Sequence, residues 1–502
     1  MTIHLSIVLF WPLALAVLGA LAPRRLAPWV ALLGSLVPLG YAAVLLFDFD
    51  TARRGLQYVT DDVWIAELGV HYKLGLDGLN LWLIALATLL FAASALWIVF
   101  RPYERPKLFA FHLGLAETAL LGAFMAQDLA LFVLFFDLML VPFAFLVLGW
   151  GGPERVAATL KFIIYTLVGS LLMLAGAVAT AVLSDPGGEL TFVLSDLVRA
   201  PLEESTQKWV FVAFALAFLI KMPSFPVHGW MPDAYRQMPL PVLVLFSAVL
   251  SKVAAYGFLR VVLPLFPDAA ADFQLLLLVI ALGSILYGSV QAFTQTDTRL
   301  ILGYSSIAQL GFITLGIFAL RPEGSQGALL QMVQHGLVVA PLFFIVVLLA
   351  ERAGGSEDLR DMGGIAFRAP VLTTLFLVTT LATLAMPGSA NFVGEFLILL
   401  GAFKSDAVIA VLAFAGVAMA SVYMLRFFIR AMHNRRGPAV DSFELSLRDG
   451  LVVAPLVAAV VAFAVYPQAA LTASEPSAVA AVRVAQERAG ESDGTPTAAR
   501  TP

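Results

Sequence analysis

The sequence predicts an all-α polytopic membrane protein of about 14 transmembrane helices, with two inverted five-helix repeats, each with a broken fourth helix. Three observations carry this expectation. The 502 residues are 61% hydrophobic and 13% charged, with a mean hydropathy of +0.92, whereas soluble globular chains run at about 45–50% apolar and about 25% charged. The apolar residues gather into runs of about 20, the length of helix that crosses about 30 Å of hydrocarbon. Two of these runs carry Pro and Gly at membrane depth, at corresponding places in two groups of five.

The composition also excludes functions. A net charge of −4 offers no basic field to phosphates, which argues against nucleic acid as a partner. With no cysteine, the chain has no thiolate to hold an iron–sulfur cluster or a disulfide. His, Asp and Glu nowhere fall at metal-ligand spacing. There is neither a glycine-rich phosphate loop after a strand nor a nucleophile elbow.

Taken in order, the runs cover residues 3–22, 28–47, 76–100, 108–125, 129–149, 158–183, 209–230, 239–263, 273–293, 300–320, 327–350, 370–400, 407–431 and 451–470. The first lacks a basic start and a small-residue cleavage site, so it reads as a span rather than a signal peptide. The expected organisation is a three-span N-terminal segment (1–107), a first repeat of spans four to eight (108–263), a second of spans nine to thirteen (273–431), a last span (449–470) and a mobile polar tail (475–502). Lys/Arg bias sets orientation. Arg24, Arg25, Arg101, Arg105, Lys107, Arg352, Arg360, Arg368, Arg430, Arg435 and Arg436 fall on one set of loops, which is then the inside. An even number of spans puts both termini on the outer face of the cell's inner (plasma) membrane. Residues 48–73 and 184–208 read as long outer loops.

The seventh span runs into Lys221-Met-Pro-Ser-Phe-Pro-Val-His-Gly-Trp-Met-Pro-Asp233, and the twelfth contains Met386-Pro-Gly-Ser-Ala-Asn-Phe-Val-Gly-Glu395. Proline removes a backbone donor and clashes with the preceding turn, so Pro223, Pro226 and Pro387, with Gly388, mark helix breaks. Each break is fourth in its group of five. An odd number of spans per group forces the two groups into opposite orientation.

Ionisable groups inside spans cost at least about 2.5–3.5 kcal/mol each on insertion scales and persist when they pair or serve a pathway. Asp137, Lys221, Lys252 and Glu395 are such groups, and His228 and His335 lie near them. Two lysines and two carboxylates can pass a proton between them if a partner's movement shifts the balance between charged and neutral forms. Asp137 with Lys221 as a static pair holding two helices is the alternative. Arg260, Arg426 and Arg430 lie near span ends and read as interfacial, while Glu117 and Lys161 can each face a neighbouring subunit or a lipid headgroup.

At these residues the chain resembles the antiporter-like M-type (subunit 4) chains of proton-translocating NADH:quinone oxidoreductase, respiratory complex I. The resemblance rests on Lys161-Phe-Ile-Ile-Tyr-Thr-Leu-Val-Gly-Ser170, the Lys221–Asp233 stretch, Gly303-Tyr-Ser-Ser-Ile307 and Pro387-Gly-Ser-Ala-Asn-Phe-Val-Gly-Glu-Phe396. It implies a relay of Asp137, Lys221, Lys252 and Glu395, helped by His228, His335 and Gln309, without redox chemistry in this chain. FMN, iron–sulfur clusters and quinone are implied in partner subunits, and the partners are other membrane-arm subunits on both sides. The chain departs from the family at two places. Asp137 stands where the family usually has glutamate, and Gln309 stands where it commonly has histidine, a group that titrates. The alternatives are a subunit of a multisubunit sodium/proton antiporter, usually with lysine in place of Glu395, or of a membrane-bound hydrogenase or ferredoxin-linked complex. A passive scaffold is the remaining alternative.

Overall fold

The structure, a computed structural model, describes residues 4–184 and 189–492. Its elements in chain order begin with α1 (Leu5–Leu21), α2 (Ala27–Asp48), β1 (Gln57–Ile65), β2 (Val70–Leu76), α3 (Leu81–Phe100), α4 (Pro106–Met125), α5 (Leu129–Leu138), α6 (Leu140–Trp150) and α7 (Arg155–Leu183). They continue through α8 (Leu194–Leu197), α9 (Glu204–Lys221), α10 (Met231–Gln237), α11 (Leu240–Leu245), α12 (Ser251–Gly257), α13 (Leu263–Leu265), α14 (Pro267–Asp272), α15 (Gln274–Thr294), α16 (Thr298–Phe318) and α17 (Pro322–Arg352). The last are α18 (Pro370–Thr383), α19 (Ala390–Ser405), α20 (Ala407–Met432), α21 (Leu447–Val465) and α22 (Gln468–Ser492).

Among the described residues, 11 helices are long and apolar enough to cross a membrane, with α5 and α6 taken as one and α11 to α13 as one. The three further expected spans are α1, which is shorter, and the two interrupted ones, α9–α10 and α18–α19. Burial sorts the bundle into centre and rim. The windows of Leu240–Leu265 and Thr298–Phe318 are 100% buried and that of Pro322–Arg352 94%, against 33% for α2 and 39% for α7. Rim helices turn large apolar residues outward, as Ile164, Leu167, Val168 and Leu171 do on α7, because lipid rather than water meets them.

The structure corrects four sequence expectations. The stretch 48–73 is not simply a loop: β1 and β2 pair antiparallel, Thr60 opposite Leu74 and Val63 opposite His71. The β-branched and aromatic residues of Tyr58-Val-Thr-Asp-Asp-Val-Trp64, with the Gly69 turn in the left-handed region, allow this. Span five is interrupted at Met139, three residues before Pro142, which has no N–H for the Leu138 carbonyl. The stretch from Glu475 is not a mobile tail up to Ser492. It is helix α22, which buries Ala478, Val482 and Ala485 against the bundle, since these apolar residues recur at helical spacing along an otherwise polar sequence. The remaining tail, 493–502, lies outside the described residues. Span eight contains two π-helical turns, Phe246–Leu250 and Phe258–Val262, on either side of α12.

Candidate functional site

The first break follows Lys221, the last residue of α9, where the helix C-terminus favours a cation. Residues 222–230 are unwound and braced: Trp230 Nε1 donates to the Ile220 carbonyl at 3.0 Å, and the Phe225 N–H donates to Ser284 Oγ at 3.0 Å. Pro223 is buried, while Phe225 and Pro226 are exposed on the outside of the bundle. The second break spans residues 384–389. Gly388 there has φ +87°, a backbone conformation that a Cβ would strain, and Met386, Pro387 and Gly388 are exposed.

Lys221 is 2% exposed. Its Nζ donates to the Phe136 carbonyl and lies 3.7 Å from the centroid of the Phe136 ring. Asp137 is half-buried on α5 with Oδ1 unpartnered, and no Asp137–Lys221 ion pair forms within 4.0 Å. The two charges are near enough to interact without touching. The aspartate, one methylene shorter than glutamate, leaves the lysine to the neighbouring carbonyl and ring.

Lys252 is fully buried. Its Nζ donates to the Ser247 carbonyl at 2.6 Å and lies 3.2 Å from Ser251 Oγ. Ser247 sits in the first π-helical turn, where the ladder shifts and leaves backbone carbonyls to side chains. Ser247 Oγ meets Ser306 Oγ of α16 at 3.2 Å. One turn on, on the same face, Gln309 donates from Nε2 to Glu395 Oε1 at 2.9 Å. Gln331 of α17 donates to Gln309 Oε1 at 2.6 Å and to Glu395 Oε1 at 3.3 Å. A row of buried polar side chains therefore runs from Lys252 through Ser247, Ser306 and Gln309 to Glu395. No hydrogen-bonded side chain links Lys221 to Lys252 among the described residues.

His335 is 2% exposed, with Nδ1 unpartnered, and its neighbour Gly336 packs against the π-helical turn. A Cβ at Gly336 would stand 2.6 Å from the Ala248 carbonyl, so only glycine lets α17 approach this closely. His228 is buried beside Tyr287, ring centroids 4.8 Å apart, with Nδ1 unpartnered and no contact to the row. Glu395 is 3% exposed, and no cationic nitrogen lies within 4.0 Å of it among the described residues.

Other expectations need correction. Arg260, near the end of its span, has a side chain only 12% exposed that pairs with Asp77 at 2.5 Å and donates from Nε to the Tyr256 hydroxyl one turn away. Glu117 faces neither a neighbour nor a headgroup. It is fully buried between α2 and α4 and accepts from Ser35 Oγ at 2.6 Å. Lys161 pairs with Asp233 at 2.8 Å, half-exposed. The sequence reading missed Ser247, Ser306, Gln331, Gln334 and Asn391. Gln331, Gln334 and His335, three polar side chains on one face of a long apolar run, were the available signal.

A family model described as NADH:quinone oxidoreductase/Mrp antiporter, TM matches residues 126–420. NADH-quinone oxidoreductase subunit M of Rhodobacter capsulatus is 36% identical over 483 residues, covering 92% of this chain and 93% of that one. The chain belongs to the NADH-quinone oxidoreductase subunit M family. Subunit M of Escherichia coli (strain K12) is 37% identical over 427 residues, 82% of this chain and 83% of that one. A chain of respiratory complex I from Thermus thermophilus with bound NADH superposes with a TM-score of 0.87 at 32% identity, covering 95% of this chain and 99% of its own. A chain of the Mrp complex from Dietzia sp. DQ12-45-1b has the same fold, with a TM-score of 0.83 at 21% identity and coverage of 96% and 98%. As a subunit M family member, the chain is a membrane subunit of an oxidoreductase. Among its described residues, no group of three His, Asp or Glu is placed to hold a metal.

Proposed function

We propose that this subunit translocates protons, coupled to electron transfer from NADH to quinone in partner subunits, with Asp137, Lys221, Lys252 and Glu395 as the groups that take up and release them. The observation that carries the reading is that Lys221, Lys252 and Glu395 are all at most 3% exposed and that none has an oppositely charged group within 4.0 Å among the described residues. An unpaired buried charge costs several kcal/mol, so such groups exchange protons more readily than paired ones. The row from Lys252 to Glu395 supports a transfer path, with Gln309 orienting water because its amide does not titrate. His335 assists at the Lys252 end, and His228 belongs to the access route through the first break.

Residues 108–263 and 273–431 act as inverted repeats meeting at this row. FMN, iron–sulfur clusters and quinone belong to the partners, as the absence of cysteine in this chain favours. The exposed tips of the two breaks support antiporter-like neighbours on both sides, since irregular backbone at membrane depth needs protein cover. The loop bias of Lys and Arg supports both termini on the outer side of the cell's inner membrane.

The test is NADH-driven proton uptake by inverted membrane vesicles carrying Lys221→Ala, Lys252→Ala or Glu395→Ala, with assembly checked on native gels. Assembled complexes with uptake reduced at least about a hundredfold, the lower range of what proton-transfer groups contribute, support the relay. Wild-type uptake in Lys252→Ala or Glu395→Ala would sink it.

A further inference from the structure

Around Glu395 lies a set of oxygens that the relay leaves unused. Glu395 Oε2, Gln331 Oε1, Gln334 Oε1 and Asn391 Oδ1 are all buried with no hydrogen-bond partner. Gln331, Gln334 and Asn391 are 0% exposed and Glu395 3%. The two glutamine oxygens meet in the space a side chain at Gly394 would occupy, 2.5 and 2.6 Å from where its Cβ would stand, and Gln331 reaches the Glu395 carboxylate through Nε2 at 3.3 Å. Gly394 adjoins Glu395, and Asn391 lies one turn earlier on the same helix, α19. The amide nitrogens of Gln334 and Asn391 are unpartnered too, so either amide is free to turn its oxygen inward.

Four buried oxygens without a donor are costly to hold. Each unmade hydrogen bond of a buried polar group costs about 1–3 kcal/mol, so an occupant that satisfies several at once is favoured. A carboxylate with three amide carbonyls is an all-oxygen set of the kind hard cations take. A single carboxylate, with no second acid beside it, balances one positive charge rather than two.

We propose that Glu395, Gln331, Gln334 and Asn391 form a buried site for one monovalent cation, sodium, held between α17 and α19. This goes beyond the relay reading. The two share Glu395, so the test separates them.

Intact detergent-solubilised complex is incubated with ²²Na⁺ in choline chloride and passed through a desalting column. Wild-type complex retains one more sodium ion than complex carrying Glu395→Gln or the double variant Gln334→Leu/Asn391→Leu, which keeps the carboxylate. Equal retention overturns the proposal and leaves these oxygens to water. Where the double variant fails to assemble, wild-type complex alone decides: modification of Glu395 by dicyclohexylcarbodiimide is severalfold slower in sodium chloride than in choline chloride of equal ionic strength. Equal rates overturn the site. Proton uptake in sodium-free choline medium tests the relay independently. Loss of the relay leaves the sodium count standing, and loss of the count leaves the relay standing.

Discussion

Lys221 is held by Phe136 and not by the carboxylate next to it: its Nζ donates to the Phe136 carbonyl and rests 3.7 Å from the ring centroid, while Asp137 Oδ1 has no partner. A carbonyl and a ring face stabilise the ammonium without neutralising it. The aspartate therefore modulates the lysine from a short distance. Asp137→Glu, one methylene longer, is expected to close a direct ion pair with Lys221. The pair keeps Lys221 charged and slows NADH-driven proton uptake, while the amount of assembled complex on native gels is unchanged. Uptake faster than wild type would contradict this account.

The amide bridge to Glu395 gives a second expectation. Gln309→Leu removes one donor to the carboxylate and the acceptor for Gln331, leaving buried polar atoms unmet at about 1–3 kcal/mol. The expected result is a lower thermal midpoint for the complex and slower pumping. Gln309→His places a titrating group at the same point, so its pumping rate acquires a pH step that wild type lacks.

Gly336 sets the distance between α17 and the π-helical turn. In Gly336→Ala the new Cβ meets the Ala248 carbonyl at 2.6 Å, and backbone cannot move aside as a side chain end does. Overpacking of this kind costs about 1–3 kcal/mol. His335 moves away from Lys252, so the variant is expected to assemble at reduced yield and to pump poorly per assembled complex. Gly490→Ala, at a position with nothing within 4 Å, is the control and behaves as wild type.

The buried pair of Arg260 and Asp77 yields an asymmetric pair of outcomes. Arg260→Ala strands Asp77 and is expected to cost about 3–5 kcal/mol, seen as a loss of assembled complex. The double variant Arg260→Met/Asp77→Leu removes both charges and recovers most of that loss in the same assay.

Asp358 provides a pH dependence outside the membrane. The Arg360 guanidinium, opposed by burial, and the hydrogen bonds of the Arg360 N–H and Thr296 Oγ1 hold its carboxyl down to about 2. The folded value lies below the ordinary one of about 3.9. Its contribution to docking the 353–369 loop is thus fully present above the ordinary value and is lost as pH falls through about 2. Hydrogen-exchange protection of the Leu359 N–H, bonded to the Thr296 carbonyl at 2.8 Å, is expected to drop across that window in wild type and to show no such step in Asp358→Asn.

Most of the fold was legible because lipid imposes a simple length and polarity rule, and the interruptions at Pro223, Pro226 and Pro387 follow from the missing N–H of proline. The hairpin of β1 and β2 was not, since its strands interleave charged residues such as Asp61, Asp62 and Lys73 next to far stronger apolar runs. The interruption at Met139 hid in an unbroken hydrophobic stretch, where nothing beside Pro142 marks it. At the site, charges in apolar runs flagged Asp137, Lys221, Lys252 and Glu395 from sequence. The intervening Ser247, Ser306, Gln331 and Asn391 are neutral, cost little in hydropathy and depend on which helices meet. Whether Asp137 touches Lys221 depends on about a methylene of reach, a quantity that sequence does not carry.

Helix α17 spans Pro322–Arg352, 31 residues, which makes it about 46 Å long at 1.5 Å per residue, well beyond the hydrocarbon thickness. It touches the Lys252 end of the row through Gly336 and the Glu395 end through Gln331. Both contacts lie on the stretch before Pro341 inside the helix, so the two ends are mounted on one short shaft. A shift of that shaft along its axis acts on both ends at once, so substitutions near Gly336 and near Gln331 will not add independently: the second finds a register the first has already displaced.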